Sequence, residues 1–225
     1  MVEKPKAVVL LSGGLDSTTV MAIAHKKEYD LYPLTVIYGQ RHQREIESAK
    51  AVAEHYGVAD RHIIVEVDSR LFKGSSLTEN LEVPSDGVMD PNIIPNTYVP
   101  GRNTLLLSHA LSYAESIGAS FICYGANALD YSGYPDCRPQ FVDAYQNLIN
   151  MATKQTTAGN YLKLEAPLMH MTKAEISAEG LSLEAPLNLT WSCYKGGETP
   201  CGVCDSCRLR AKGFDEIGKS DPALA

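Results

Sequence analysis

The sequence predicts an α/β fold: a doubly wound, mostly parallel five-stranded sheet with a small C-terminal zinc-binding subdomain. Three observations carry that prediction. Short apolar runs alternate with segments of helical spacing along most of the chain. The first apolar run passes through a Gly- and Ser-rich turn directly into a helix. Four of the six cysteines crowd between residues 193 and 207, a clustering that suits a metal better than disulfides.

The elements follow in order. Ala7-Val8-Val9-Leu10-Leu11 is an unbroken apolar run, as expected of a strand buried on both faces. Ser12-Gly13-Gly14-Leu15-Asp16-Ser17-Thr18 is a turn, and Thr19 to Lys27 has the composition of a helix. Two glycines let the backbone approach a bound group, the helix N-terminus offers free N–H donors, and three hydroxyls add more. The turn is an anion cradle, most simply for phosphate. It is distinct from the G-x-x-x-x-G-K-[ST] loop, because no Lys follows the glycines.

Residues 31–38 (LYPLTVIY) form a second strand, ended by Gly39-Gln40-Arg41-His42. Residues 43–56 carry helical spacing, with Gly57 as the C-cap, and 61–67 (RHIIVEV) form a third strand. From 73 to 101 the pattern disappears among Pro84, Pro91, Pro95 and Pro100, and the stretch reads as a flap. A helix over 103–117 stops at Gly118. A strand over 120–124 runs into Gly125-Ala126-Asn127. A helix over 140–153, a fifth strand over 161–168 and a capping box at Thr172-Lys173-Ala174-Glu175 complete the series. Glycine and polar residues collect where strands end, which places the site at the carboxyl edge, between strands one and four.

A chain of 225 residues with 44% hydrophobic content supports one α/β domain and a small appendage, divided here as 1–188 and 189–225. The net charge of −7 disfavours non-specific nucleic-acid binding. The apolar runs are too short to span a membrane, and the six residues before the first strand are too few for a signal peptide.

Cys193, Cys201, Cys204 and Cys207 are spaced C-x7-C-x2-C-x2-C, with Gly196, Gly197 and Gly202 supplying tight turns. Four thiolates suit one tetrahedral zinc with no open position, hence a structural ion; an iron–sulfur cluster is the rival. Arg208, Arg210 and Lys212 read as a solvated face or a balance to the thiolate charge. Residues 213–220 match G-x-x-x-x-G-K-S, but no strand precedes them and too few residues follow for a helix, so the match is set aside. Asp136 suits the ring N–H and amine of a guanine-like base, and Arg138 suits a substrate carboxylate. Lys173 at a helix start opposes the dipole, which an ATP phosphate would explain. Cys123 reads as core and Cys137 as a thiol of minor catalytic interest.

Residues 12–17 resemble the SGGxDS pyrophosphate loop of adenylating amidotransferases and tRNA-thiolation enzymes. Nearly the whole chain resembles the 7-cyano-7-deazaguanine synthase family. The likeness rests on SGGLDST at 12–18, YGQRH at 38–42, VPGRN at 99–103, GANALDYSGYPDCR at 125–138, TKAEI at 172–176, TWSCYKGG at 190–197 and CGVCDSCRLRAKGF at 201–214. The resemblance implies an adenine nucleotide alpha hydrolase-like fold and the conversion of 7-carboxy-7-deazaguanine, ammonia and ATP to the nitrile through an adenylated acid and an adenylated amide. It implies that Leu10, Leu11, Ser12, Gly13, Gly14, Leu15, Asp16, Ser17, Thr18, Thr19, Val20, Tyr38 and Arg102 hold ATP. Asp16, Ser17 and Lys173 are implied to act on phosphate and Mg²⁺, and Gln40, Arg41, Asn127, Asp130, Tyr131, Asp136 and Arg138 to face the substrate. It further implies a cytoplasmic homodimer with structural zinc, small-molecule substrates and no direct contact with nucleic acid or membrane. A tRNA thiolase or other pyrophosphate-loop ligase is the alternative within the chemistry, and a non-catalytic nucleotide-binding module is the alternative outside it.

Overall fold

Successive side chains of a strand face opposite sides, and in the first strand both sides are buried. The computed structural model describes residues 3–39, 44–79, 94–129 and 134–224. In β1 (Lys6–Leu10), Ala7 and Val9 enter one core while Val8 and Leu10 enter another. This is why the sequence shows a continuous apolar run rather than an alternation.

Helix α1 (Leu15–Lys26) leads to β2 (Asp30–Ile37), and α2 (Arg44–His55) leads to β3 (Ile63–Glu66). Then come α3 (Arg102–Ile117), β4 (Phe121–Cys123), α4 (Pro139–Ala152), the single turn α5 (Lys154–Thr157), β5 (Lys163–Glu165), α6 (Lys173–Ser182) and α7 (Asp205–Glu216). The five strands pair in the order β3-β2-β1-β4-β5, all parallel, as expected. Strand order reverses at β1, so the carboxyl ends of β1 and β4 flank the switch point. One core, containing Leu11, Met21, Val52, Ile176 and Phe214, lies under α1, α2, α6 and α7. The other, containing Leu107, Ile122 and Ile149, lies under α3 and α4.

Two helical glycines set how closely the first group packs. A Cβ on Gly180 of α6 would lie 2.8 Å from Thr19 Oγ1 of α1. A Cβ on Gly213 of α7 would lie 2.7 Å from Lys173 Cγ and 2.9 Å from the Lys173 carbonyl oxygen. Real Cβ atoms do not approach that closely, so α6 rests on α1, and α7 on α6, only because both positions lack side chains.

Three expectations are corrected. Helix α1 begins inside the expected turn: the Thr18 N–H already donates to the Gly14 carbonyl at 3.1 Å. The fifth strand keeps only three ladder residues, and on its open edge the Leu164 N–H donates to Gln146 Oε1 of α4 at 2.7 Å. Helix α7 was not anticipated, since 205–216 is rich in charge and carries few apolar residues. The phosphate-loop-like match at 213–220 is the end of α7 and the turn after it, with no strand ahead of it. Residues 73–79 and 94–101 are irregular, as expected, yet anchored. The Ser76 N–H donates to the Asn96 carbonyl at 2.9 Å, and Phe72, Leu77 and Val99 form a small core beside Tyr38. Residues 80–93 lie outside the described residues. Among the described residues, no helix is long and apolar enough to cross a membrane.

Candidate active site

A cavity of about 240 Å³ opens at the carboxyl ends of β1, β2 and β4. Its polar wall begins with the turn after β1. Gly13 has φ +86°, and a Cβ there would fall 2.2 Å from the Glu45 carbonyl oxygen and 2.6 Å from the Ala49 nitrogen. Glycine is therefore required twice over, by backbone conformation and by the first turn of α2 lying against it. Inside the turn the Ser12 and Ser17 hydroxyls are 3.0 Å apart, Ser17 Oγ accepts from the Ser12 N–H at 3.2 Å, and the Gly14 N–H donates to Ser12 Oγ at 3.3 Å. Gly125, at the end of β4, lies against the Asp16–Ser17 peptide, with 3.4 Å from its would-be Cβ to Asp16 C and Ser17 N.

Asp16 sits in the first turn of α1 and Lys173 opens α6, so two helix N-termini converge on the cavity. Lys173 Nζ donates to both Asp16 carboxylate oxygens, at 2.8 and 2.9 Å. The lysine side chain is 8% exposed and the aspartate 21%. A cation at a helix N-terminus opposes the dipole, and the carboxylate offsets that here. The capping box beneath it is present: the Glu175 N–H donates to Thr172 Oγ1 at 3.2 Å and the Thr172 N–H to Glu175 Oε2 at 2.7 Å.

Of the residues expected to hold ATP, Leu10, Leu11, Ser12, Gly14, Leu15, Asp16, Ser17, Tyr38 and Arg102 line the cavity. Arg102 Nη1 donates to the Tyr38 hydroxyl at 3.3 Å. Thr18, Thr19 and Val20 do not line it; successive helix positions turn away, and these three are buried. Thr19 Oγ1 donates to the Leu15 carbonyl at 3.0 Å. Asn127 lines the cavity, but its amide donates to the Leu168 (2.9 Å) and Met171 carbonyls, and its Oδ1 accepts from the Leu129 N–H at 2.9 Å. It fixes the turn that delivers Lys173. Asp136 is buried behind the wall, its Oδ2 accepting from the Asn103 N–H at 3.0 Å at the start of α3. Arg138 is exposed and outside the lining. Gln40, Arg41, Asp130 and Tyr131 lie outside the described residues.

Glu45, Tyr124, Trp191 and Arg210 also line the cavity, though none of them was expected in the site. Tyr124 brings a buried hydroxyl that has no hydrogen-bond partner among the described residues. Burial pushes the Glu45 carboxyl up to about 7, with the Arg102 charge opposing the rise. Between the ordinary 4.5 and about 7, native Glu45 holds a proton that the unfolded chain has lost, so stability falls as pH rises through that window. Glu45→Gln has no such slope. Its unfolding free energy should match wild type at pH 4 to 5 and exceed it at pH 8, by about 3 kcal/mol at most. Equal pH profiles in a thermal scan would assign the slope elsewhere. Cys137 also lines the cavity; burial pushes its thiol up to about 11, which suits a quiet wall residue rather than a nucleophile.

The four cysteine Sγ atoms lie within 4.8 Å of one another. A tetrahedral ion with bonds of about 2.3 Å places its sulfurs about 3.8 Å apart, so four soft donors at this spacing fit a single ion. The Cys201 N–H points to Cys193 Sγ and the Cys204 N–H to Cys201 Sγ, both at 3.4 Å, as suits thiolates. Cys204 caps α7 and Cys207 sits in its first turn, where the helix dipole favours negative sulfur. Arg210, expected on a solvated face or against the thiolates, is instead 7% exposed and paired with Asp221 at 2.6 Å.

A Gly-rich turn at a helix N-terminus, a cavity at the switch point and a four-cysteine knuckle beside it define a pyrophosphate-loop enzyme. The chain belongs to the family described as queuosine biosynthesis protein QueC, whose model matches residues 6–218. It is 53% identical over 222 residues to the 7-cyano-7-deazaguanine synthase of Ralstonia pickettii, covering 97% of this chain and 98% of that one. It is 51% identical over 226 residues to the enzyme of that name from Rhizorhabdus wittichii, covering 99% and 96%. Among solved structures it is similar to a 4-thiouridine synthetase in complex with RNA and ATP (TM-score 0.51, 16% identity, 98% of this chain and 48% of that one). It is also similar to the NMN synthetase of Francisella tularensis (TM-score 0.50, 16% identity, 98% and 81%). At that identity the two structures show the shared fold alone.

Proposed function

We propose that this protein converts 7-carboxy-7-deazaguanine, ammonia and ATP to 7-cyano-7-deazaguanine. The observation that carries the reading is identity above one half, over nearly the full chain, to relatives bearing that enzyme's name. A carboxylate accepts ammonia only once its oxygen is a leaving group. Transfer of AMP to that oxygen supplies one, and ammonia then gives the amide. Losing the amide oxygen needs the same activation again, so two ATP are consumed per nitrile. The Ser12–Ser17 amides and hydroxyls cradle the departing pyrophosphate, and Lys173 supplies the cation beside it. Asp16 would hold Mg²⁺ together with the nucleotide's phosphates, a hard cation that neutralises their charge. Cys193, Cys201, Cys204 and Cys207 would hold a structural zinc; a four-iron cluster would keep its thiolates farther apart.

The net charge of −7 favours small-molecule substrates over nucleic acid. A cytoplasmic homodimer remains part of the proposal, drawn from the family resemblance. Mass spectrometry of wild-type reactions tests the chemistry. Carboxylate labelled with ¹⁸O should leave its label in AMP, and synthetic amide should be accepted with ATP and no ammonia. Label in inorganic phosphate would mean γ-phosphoryl activation and overturn the role given to the turn at 12–18.

A further inference from the structure

Arg210 is the most completely bonded charged group in the described chain, and what it holds is the segment that holds the phosphate turn. Its Nε donates to Asp221 Oδ2 at 2.6 Å and one Nη2 hydrogen to Asp221 Oδ1 at 2.8 Å. Nη1 donates to Thr190 Oγ1 at 2.8 Å and to Ser192 Oγ at 3.0 Å, and Nη2 also reaches the Leu187 carbonyl at 3.3 Å. A guanidinium has five N–H donors, and all five are used. Although Arg210 borders the cavity, it therefore has nothing left for a phosphate.

The residue between two of those partners is Trp191, and its N–H donates to the Gly13 carbonyl at 2.9 Å. A peptide is planar, so fixing the Gly13 carbonyl also fixes the Gly14 N–H that points the opposite way. That N–H meets Ser12 Oγ, which in turn meets Ser17 Oγ. Residues 190–194 belong to no helix or strand, so Trp191 is placed by its ring, which packs on Cys193, Cys204 and Cys207 and donates to the Cys193 carbonyl at 3.1 Å, and by the bonds of Arg210 to the residues on either side of it. Cys207, one turn before Arg210 on α7, ties the same helix to the cysteine knuckle.

We propose that Arg210 is a positioning residue for ATP: through Thr190, Ser192 and Trp191 it sets the geometry of the Ser12–Ser17 turn, and Asp221 keeps its guanidinium in place. The inference rests on the reading of that turn as the ATP phosphate site. It makes the knuckle and the tail at 221 parts of nucleotide recognition rather than a separate staple.

Trp191 is the only tryptophan of the chain and lines the cavity, so its fluorescence reports on this contact directly. The experiment titrates MgATP into wild type, Arg210→Met, Arg210→Lys and Asp221→Asn, reading Trp191 emission, and measures KM for ATP and for the carboxylic substrate. In Arg210→Met the ATP Kd and KM should rise about tenfold or more, equivalent to about 1.4 kcal/mol. KM for the acid should stay within about twofold and metal content should be unchanged. Arg210→Lys should recover only part, since an ammonium cannot reproduce the planar fork. Asp221→Asn, which leaves all five donors in place, should shift ATP binding the same way by a smaller factor, and it decides the matter if Arg210→Met does not fold. A fall in kcat or melting temperature with the ATP constants unchanged in these variants would reduce Arg210 to a fold-stabilising residue and overturn the proposal. Failure of wild type to form the nitrile would count against the proposed reaction alone, because the ATP titration needs no turnover.

Discussion

Lys173→Met is expected to lower turnover by about a thousandfold, the scale of losing one preorganised charge at a transition state. It should also destabilise the fold by about 2–3 kcal/mol. The destabilisation arises because the Asp16 carboxyl group, 21% exposed, loses the ammonium 2.8 Å away. The two effects separate in the double variant Asp16→Asn/Lys173→Met. An amide against a thioether leaves no buried net charge, so most of the stability should return while turnover stays lost. Denaturant unfolding and single-turnover kinetics on the four members of the cycle read both quantities. Turnover returning along with stability would mean that the pair serves only the fold.

Removing the metal should have the second large effect. Metal binding by a four-cysteine site contributes folding free energy on the order of 10 kcal/mol, as large as the net stability of a typical domain. Chelation, or Cys204→Ser, is expected to unravel the start of α7, expose 190–207 to protease and abolish ATP binding. The sheet core around Leu107, Ile122 and Ile149 should persist. Circular dichroism, limited proteolysis and the Trp191 signal follow the three consequences. Elemental analysis of untreated protein should give about one zinc per chain and no absorbance near roughly 400 nm. Iron with such a band would replace the zinc assignment by a cluster.

Much of this molecule was legible in its sequence because local chemistry dictated it. Apolar runs marked the strands, and the capping box at Thr172 and Glu175 marked the start of α6. The turn at 12–18 declared its donors, and the cysteine spacing declared a tetrahedral donor set. What stayed hidden depends on tertiary placement. Glu45 looks like any acid in the first turn of an exposed helix until Arg102 and the cavity meet it. Arg210 looks like one more cation in a charged tail, because its partners at 187, 190, 192 and 221 are spread to either side of it. Asp136 was read for its carboxylate chemistry, but the free N–H of Asn103 at the start of α3 claims that carboxylate. Thr18, Thr19 and Val20 follow Ser17 closely yet do not share its direction, since the helix begins four residues earlier than the composition suggested.

The two close helix contacts have a consequence for anyone who would retarget the enzyme. With Gly180 seated on Thr19 and Gly213 seated on Lys173, the three helices behind the polar wall have no slack to slide. The wall is in effect a fixed jaw, and any larger residue at 180 or 213 would change its bite before it changed its taste. Leu77 and Leu106 also line the cavity, one in an irregular segment and one on α3. A library seeking a different heterocyclic acid should be drawn at those two apolar positions, leaving residues 12–17, 173, 180, 210 and 213 untouched.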